Sequence, residues 1–192
     1  MIHMYQKRND ELAVLNLYLG NYLKQLYLRE ISRMAKIPLK TVQRVISYLE
    51  ESKILRSSIR GKNKYFWLNL DNIQLKFYLL QSEIYKTQLF LEKYPQFKTF
   101  VKGLGHTPII VFGSFSKFTA EKDSDVDLLI ISDEKVPLHL LPYNIHEVRL
   151  SEKSFEKSLE KQETLLKEIE KNHIILSNHS FYIDTLWGHY AR

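Results

Sequence analysis

The chain has 192 residues, of which 44% are hydrophobic and 26% charged, and it contains no cysteine. The lack of cysteine excludes disulfide bonds and thiolate metal sites. No apolar run approaches the roughly 20 residues that a membrane span needs, and the N-terminus lacks the apolar core of a signal peptide. We therefore expect a cytoplasmic protein with no membrane role, long enough for two small domains.

Charge is distributed unevenly along the chain. Residues 1–70 carry 13 Lys and Arg against 5 Asp and Glu, a net charge of +8, whereas residues 71–192 carry 15 against 17, a net charge of −2. A polyanion would be held by the basic part. The acidic balance of the remainder is compatible with a metal-dependent site. The charge split therefore predicts two parts with different functions.

Three helical patterns follow one another in the basic part. The first is expected to begin at an N-cap, Asn9 or Asp10, and to end at Gly20. The second covers residues 28–35, and the third runs from the break at Pro38 to about Ser52. Helical spacing predicts that the third helix buries the following residues: Val42, Val45, Ile46 and Leu49.

A β-hairpin with a basic tip is expected next, from residues 54–60 and 64–68. Three short helices followed by such a hairpin resemble a winged helix-turn-helix domain, over about residues 9–70. In that family the third helix enters the major groove of DNA and the hairpin contacts the backbone or the minor groove. Carried over, the resemblance implies DNA contacts from Lys40, Thr41, Gln43, Arg44, Arg60, Lys62 and Lys64. Two alternatives remain, a simply solvated helix face and a protein-docking or dimerisation module.

Residues 71–104 are expected to form a helical connector, with a long helix over residues 73–93 that Pro95 interrupts. Along that helix the apolar residues alternate with Tyr and Lys: Leu75, Leu79, Ile84 and Leu91. Its aromatic residues fit a core or a dimer contact better than a base-stacking platform. A further turn or two precedes the strand at Pro108.

Two strand-like apolar runs, residues 108–112 and 126–131, enclose a polar segment with a distinctive spacing. Gly113 and Ser114 are followed by ten residues and then by Asp125, Val126 and Asp127. Alternation along the second strand puts both aspartates on one side. Such a carboxylate pair repels itself unless a cation lies between the two groups, and oxygen ligands of this kind suit Mg²⁺.

This spacing resembles the minimal nucleotidyltransferases of the DNA polymerase β-like nucleotidyltransferase superfamily. The resemblance implies that Asp125 and Asp127 hold the metal and that Gly113, Ser114 and Lys117 bind the nucleotide phosphates. The family commonly has glycine after the basic residue, where this chain has Phe118. The departure predicts a backbone that is less free to wrap the phosphates.

A third strand over residues 144–150 contains Glu147, the only acid there and the candidate for the family's third catalytic carboxylate. Glu147 shares a face with Arg149, so an internal salt bridge is the alternative. His146 lies on the opposite face and is interpreted as structural. One helix is predicted over residues 151–171, with Phe155, Leu159, Leu165 and Ile169 buried. A strand and a helix are expected to complete the C-terminal part.

The predicted fold class is α+β, with a winged helix-turn-helix domain (1–70), a helical connector (71–104) and a nucleotidyltransferase-type mixed sheet flanked by helices (105–192). The resemblance implies an enzyme that uses Mg²⁺, with Mn²⁺ as an alternative, to move a nucleoside monophosphate from a nucleoside triphosphate to an acceptor hydroxyl. ATP is the leading donor. A hydroxyl on a small helical toxin protein is the first expected acceptor, and a small molecule or an RNA end are alternatives.

A second interpretation belongs to another class of function. The chain could be a DNA-binding regulator whose nucleotidyltransferase domain only senses nucleotide or mediates association. A homodimer would fit that role, because winged-helix proteins that read palindromic sites are usually dimers.

Overall fold

The computed structural model describes the backbone of residues 2–191 and the side chains of residues 9–191. The chain divides into two compact units, an N-terminal unit of residues 1–82 with residues 190–192, and a C-terminal unit of residues 83–189. The boundary falls inside a long helix. The three domain limits expected from the sequence differ from this division and remain a prediction.

The N-terminal unit combines helices with a small sheet. Its elements are α1 (Ile2–Leu15), β1 (Leu26–Tyr27), α2 (Leu28–Ala35), α3 (Leu39–Glu51), β2 (Leu55–Arg60), β3 (Asn63–Leu68) and the first part of α4 (Ile73–Lys93). The three strands pair antiparallel in the order β1-β3-β2. The hairpin turns at Gly61 and Lys62, where Gly61 has a φ of +61°, a conformation that glycine adopts at little cost.

Helix α3 follows the predicted pattern closely. Pro38 precedes its first residue with a φ of −54°, which suits the start of a helix and ends the segment before it. The predicted inward-facing residues are all buried: Val42, Val45, Ile46 and Leu49. The opposite face of α3 is consequently left to its polar and charged residues.

Two predictions about the N-terminal unit are corrected. Helix α1 begins at Ile2, so Asn9 and Asp10 lie inside it and do not cap it. The helix ends at Leu15, and residues 16–20 form turns. Strand β1 was not predicted, because two residues are too few to show an alternating pattern.

The C-terminal unit is built on a four-stranded mixed sheet. Its elements after α4 are α5 (Phe97–Lys102), β4 (Ile109–Phe112), α6 (Gly113–Ser116), β5 (Val126–Ile130), a 3-10 turn (Leu138–Leu140), β6 (Ile145–Arg149), α7 (Glu152–Glu160), α8 (Thr164–Lys171), β7 (Ile174–Ser177) and α9 (His179–Tyr190). The strand order is β6-β5-β4-β7, with β5 and β6 parallel and the other pairs antiparallel. Helices combined with separate sheets fit the predicted α+β class.

Strands β4 and β5 lie in the middle of this sheet and form the centre of the core. All four residues of β4 are buried, and Val126, Leu128 and Ile130 of β5 are 0% exposed. An aromatic cluster packs against them, and its buried members are Phe90, Tyr94, Phe97, Phe100 and Phe115. The polar segment between β4 and β5 therefore starts and ends at the two most central strands of the core.

The single helix predicted over residues 151–171 is two helices. Helix α7 ends at Glu160, Gln162 takes a left-handed φ of +54°, and α8 begins at Thr164. Ser151 caps α7 through its side-chain oxygen, which accepts from the backbone N–H of Ser154, as the capping pattern predicted. The break shifts the helical phase, and Leu166 is buried instead of the predicted Leu165.

A buried ion pair joins α4 to the start of β7 within the C-terminal unit. Glu83 and His173 are both 0% exposed, and Nε2 of His173 lies 2.8 Å from Oε1 of Glu83. Nδ1 of His173 faces the Ile169 carbonyl at 2.9 Å, so each ring nitrogen lies within hydrogen-bond distance of an oxygen. Burial alone would raise the pKa of Glu83. The charges of His173 and Lys86 and the hydrogen bond from His173 outweigh burial, so the pKa of Glu83 is lowered.

Over the described residues, none of the helices combines the length and apolar character that crossing a bilayer requires.

Candidate functional site

The candidate site begins where β4 turns into α6. Gly113 makes this turn with a φ of +67°, a left-handed conformation that glycine adopts without strain. A Cβ atom at Gly113 would lie 2.0 Å from Oδ2 of Asp127, far inside any allowed contact. The carboxylate of Asp127 therefore lies directly against the backbone of Gly113. The structure thus brings together the two ends of the motif that the sequence spacing indicated.

Strand β5 positions Asp127 through its register with both neighbouring strands. Asp127 pairs with Phe112 on β4 and with His146 on β6. Its side chain is 28% exposed, and Oδ1 lies 3.2 Å from Nδ1 of His146. Asp125 precedes β5 and is exposed, while Val126 between the two aspartates is buried. Because Asp125 lies outside β5, the expectation that both aspartates share one side of the strand stays a prediction.

His146 is a site residue that the sequence interpretation missed. Alternation correctly separated His146 from Glu147, but only the pairing of β6 with β5 shows which face belongs to the site. Glu147 pairs in register with Leu128, so it lies on the face opposite Asp127. Its Oε2 accepts from Arg149 at 3.3 Å, which is the salt bridge considered as the alternative. The expectation that Glu147 joins the carboxylate pair is corrected.

Helix α6 is tied to the segment that connects α8 to β7. The hydroxyl of Ser116 is buried, 2.9 Å from the Gly113 carbonyl and 3.0 Å from the Asn172 carbonyl. Nζ of Lys117 lies 3.1 Å from Oε1 of Glu168, and both side chains are substantially exposed. An exposed pair of this kind is worth little, about 0–1 kcal/mol, so Glu168 holds Lys117 only weakly.

Phe118 occupies the position where the resemblance led us to expect glycine, and its backbone is left-handed. Its φ is +59°, in the left-handed region, and its carbonyl accepts a hydrogen bond from Nζ of Lys93. Its ring packs against Phe90 at 6.2 Å and Tyr94 at 6.3 Å between centroids. Ring packing therefore holds Phe118 in a strained backbone conformation, and the expectation of a backbone less free to wrap phosphates stays a prediction.

The donor atoms around Asp127 fit a divalent cation that completes its coordination with phosphates and water. Across the part of the chain that the structure describes, no three His, Cys, Asp or Glu side chains form a ready metal cluster. Asp125 and Asp127 supply two carboxylates, which is the number of protein ligands that Mg²⁺ commonly takes beside substrate phosphates. The absence of a side chain at Gly113 lets the Asp127 carboxylate occupy the space that a Cβ would fill.

The residues predicted to contact DNA lie on α3 and the β2–β3 hairpin of the N-terminal unit. Lys40, Gln43, Arg44, Arg60, Lys62 and Lys64 are exposed, and Thr41 is half-buried. Lys64 is not free, because its Nζ lies 2.7 Å from Oε1 of Glu50. Burial tends to raise the pKa of Glu50, but hydrogen bonds from Lys64 and Ser57 and the charge of Lys64 lower it overall. A carboxylate thus lies beside part of the basic hairpin.

Comparison with known proteins bears on the C-terminal unit alone. No curated protein and no solved structure was found to be similar to the chain. Residues 94–184 match the family model described as a nucleotidyltransferase domain. The matched range contains the β4–α6 turn, both aspartates and His146. For this part of the chain, the match supports the nucleotidyltransferase superfamily and a general nucleotidyl-transfer activity.

Proposed function

We propose that the C-terminal unit is a metal-dependent nucleotidyltransferase that moves the nucleoside monophosphate of ATP, or of another nucleoside triphosphate, to an acceptor hydroxyl. One observation carries the proposal: the Asp127 carboxylate lies against the bare backbone of Gly113, where a Cβ atom would meet it at 2.0 Å. This contact joins a phosphate-binding turn to a carboxylate pair. A phosphate chain and a cation could therefore be held at one point.

Each residue of the motif has a separate task in the proposed reaction. Backbone N–H groups at the start of α6 and the Ser114 hydroxyl would bind phosphate oxygens, and Lys117 would add a positive charge. Asp125 and Asp127 would hold Mg²⁺ or Mn²⁺. When bound, the cation supplies charge neutralisation at the attacking and leaving oxygens.

The chemical step is an in-line displacement at the α-phosphorus. The acceptor oxygen forms a bond to this phosphorus while the bond to the bridging oxygen of pyrophosphate breaks. The bonding electrons leave with pyrophosphate, and the acceptor proton passes to solvent. The proposed acceptor is a hydroxyl on a small helical toxin partner, by the family resemblance.

The transferase proposal is tested with α-labelled ATP, Mg²⁺ and cell lysate. We expect a labelled acceptor with the wild type and none with Asp127→Asn or Asp125→Asn. Asp133→Asn, the same chemical change at an exposed position after β5, is the matched control and should label normally. Mn²⁺ binding, followed by electron paramagnetic resonance, should be lost in the same two variants. Label that persists in both variants would sink the proposal.

A second function, DNA binding by the N-terminal unit, is favoured by charge and by element order. Three helices precede a hairpin, the outer face of α3 is polar, and residues 1–70 carry a net charge of +8. We propose that this unit is a winged helix-turn-helix domain that places α3 in the major groove, in an assembly that is dimeric on palindromic DNA. The two functions can coexist in one chain.

Charge reversal tests the DNA proposal. Arg44→Glu and Lys62→Glu should each weaken duplex binding, and each should lower the slope of log affinity against log salt by about one. Lys98→Glu makes the same change at an exposed position of the C-terminal unit and should leave binding unaltered. Equal effects from all three variants would show only non-specific attraction. Unchanged binding would remove α3 and the hairpin from any DNA interface.

A further inference from the structure

The three-stranded sheet of the N-terminal unit turns one of its two faces toward the core. Residues that pair across neighbouring strands share a face, so the register separates the two faces. Leu55 pairs with Leu68, and both are buried, so they mark the inner face. Lys64 shares this face by alternation along β3, and its ion pair with Glu50 places α3 on the same side. The other face of the sheet therefore points away from α3.

This other side, which we call the outer sheet face, carries aromatic and basic side chains. Tyr27 pairs with Tyr65, and Trp67 lies two positions further along β3 on the same side. Arg56 pairs with Trp67, and Arg60 lies four positions further along β2. The three aromatic side chains are half-buried, and both arginines are exposed. Aromatic rings on the open side of a sheet form a surface on which flat rings can stack.

The aromatic rings of the outer sheet face are close enough to act together. The ring centroids of Tyr27 and Tyr65 are 5.8 Å apart, and the ring planes meet at 75°. Two residues of extended strand, about 6.6 Å, separate the backbone positions of Tyr65 and Trp67. The backbone N–H of Tyr27 donates to Oε2 of Glu30 at 3.1 Å, which fixes the short strand β1. A ligand thus meets rings whose positions are already set, which lowers the entropy cost of binding.

The charges of the outer sheet face favour an anionic ligand. The guanidinium of Arg60 lies over the Tyr65 ring, 5.9 Å from its centroid. Arg56 lies 2.5 Å from Asp71, but both side chains are at least half exposed, so the pair holds Arg56 only weakly. Strands β1, β2 and β3 contain no Asp or Glu. Rings that accept flat groups therefore lie beside positive charges that accept phosphates.

Single-stranded nucleic acid combines these two properties. In a duplex the bases are stacked on one another, whereas a single strand offers free base faces to aromatic side chains. We infer that the outer sheet face binds a single-stranded segment of DNA or RNA, with bases stacked on Tyr27, Tyr65 and Trp67 and phosphates beside the two arginines. This inference goes beyond the proposed duplex binding, because the outer sheet face points away from α3. Arg60 is common to both surfaces, so the test uses the rings.

Trp67 serves as the reporter of stacking. The chain has two tryptophans, so Trp187→Phe leaves Trp67 as the single one. This full-length variant is titrated with oligodeoxythymidylate, with oligouridylate and with a DNA duplex of equal length. The single strands should quench Trp67 fluorescence and the duplex should not, because only a free base face can lie on the ring. Quenching by either single strand supports the inference, and the tighter of the two identifies the source.

Ring removal separates stacking from charge. In fluorescence anisotropy with labelled oligonucleotides, Tyr65→Ala should weaken single-strand binding by about five- to 150-fold, the range for one lost base–aromatic stack. It should change duplex binding by less than about twofold, because no charge is altered. Tyr27→Ala, on the neighbouring strand, should act likewise, and Tyr65→Phe should bind like the wild type. Phe77→Ala removes an exposed ring of α4 outside the sheet and is the matched control. Urea unfolding, followed through Trp67, shows that each variant is folded.

Three results would overturn the inference: no quenching of Trp67 by either single strand, wild-type affinity for single strands in both alanine variants, or an equal loss of single-strand and duplex binding. Self-association of the chain that Tyr65→Ala abolishes, without single-strand binding, would assign the outer sheet face to a protein contact instead. The duplex proposal fails separately, because Arg44→Glu tests α3 and leaves the rings of the outer sheet face in place.

Discussion

Replacing Gly113 by alanine tests the contact on which the candidate site depends. The substitution adds a single methyl group, and two separate costs follow from it. The first is backbone strain, because the φ of +67° is unfavourable for any residue with a Cβ. The second is a clash, since the new Cβ would lie 2.0 Å from Oδ2 and 3.0 Å from Cγ of Asp127. Asp127 must therefore turn away from Gly113.

The two costs can be estimated separately. A left-handed conformation in an alanine costs about 1–2 kcal/mol. Forcing Asp127 off its preferred side-chain conformation costs about 0.5–1.5 kcal/mol more. We expect Gly113→Ala to lower the free energy of unfolding by about 1.5–3.5 kcal/mol, the sum of these two terms. We also expect the variant to lose Mn²⁺ binding, because the carboxylate no longer lies at the turn.

The chain offers two matched controls. Gly61 has a φ of +61° but nothing within 4 Å of its added Cβ, so Gly61→Ala measures strain without a clash. Gly105 has neither feature, and its alanine variant should differ from the wild type by less than about 0.5 kcal/mol.

Urea unfolding can be followed in each unit separately, because Trp67 lies in the N-terminal unit and Trp187 in the C-terminal unit. Variants that retain one tryptophan report on one unit each. If Gly113→Ala costs no more than Gly61→Ala and binds Mn²⁺ normally, the contact between Gly113 and Asp127 does not organise the site.

Three further predictions concern residues around the site and its support. Glu83→Gln should cost about 3–5 kcal/mol at pH 7, because it leaves His173 without its buried partner. The folded-state pKa of Glu83 is lowered, so its contribution to the free energy of unfolding is full above the unfolded pKa of about 4.3 and is lost as pH falls through the folded pKa. In urea unfolding, the difference in free energy of unfolding between wild type and Glu83→Gln should therefore shrink at low pH. A difference that does not change with pH would contradict this. Phe118→Gly should be more stable than Phe118→Ala by about 1 kcal/mol, since a left-handed backbone strains alanine but not glycine. Equal free energies of unfolding in urea would refute that reasoning. His146→Ala should change the free energy of unfolding by less than about 1 kcal/mol, because its contact with Asp127 is exposed. It should weaken Mn²⁺ binding about 10- to 100-fold, because His146 orients Asp127. Wild-type Mn²⁺ affinity in electron paramagnetic resonance would exclude this role.

The sequence predicted correctly those helices and strands whose ends are marked by a proline or by a change from apolar to polar residues. Helix α3 follows a proline and buries one stripe at helical spacing, and its residues and limits agree with expectation to within about one residue. Strands β4 and β5 are short apolar runs bounded by polar residues. The contact between Gly113 and Asp127 was likewise indicated by spacing alone. For α3 and the two strands the signal lies within a few residues of the feature, whereas the contact is predicted by a motif that extends from residue 113 to residue 127.

Other features depend on packing between distant segments, and no local pattern carries them. Ile84 of α4 is apolar, yet it is 41% exposed, whereas Leu75 and Leu79 of the same helix are buried. The break between α7 and α8 falls in a stretch of charged residues whose helical propensity is uniform, so only the left-handed Gln162 marks it.

The assignment of His146 and Glu147 shows why the composition of a site is harder to predict than its motif. Alternation states which residues of a strand share a face, but it cannot state which face meets the neighbouring strand's functional residue. That decision rests on the register of β5 with β6, where Asp127 pairs with His146 and Leu128 with Glu147. A slip of one residue would exchange the two, and would place an acid where the imidazole now contacts Asp127. The register, not the order of residues along β6, therefore decides that the third side chain at this site is a histidine.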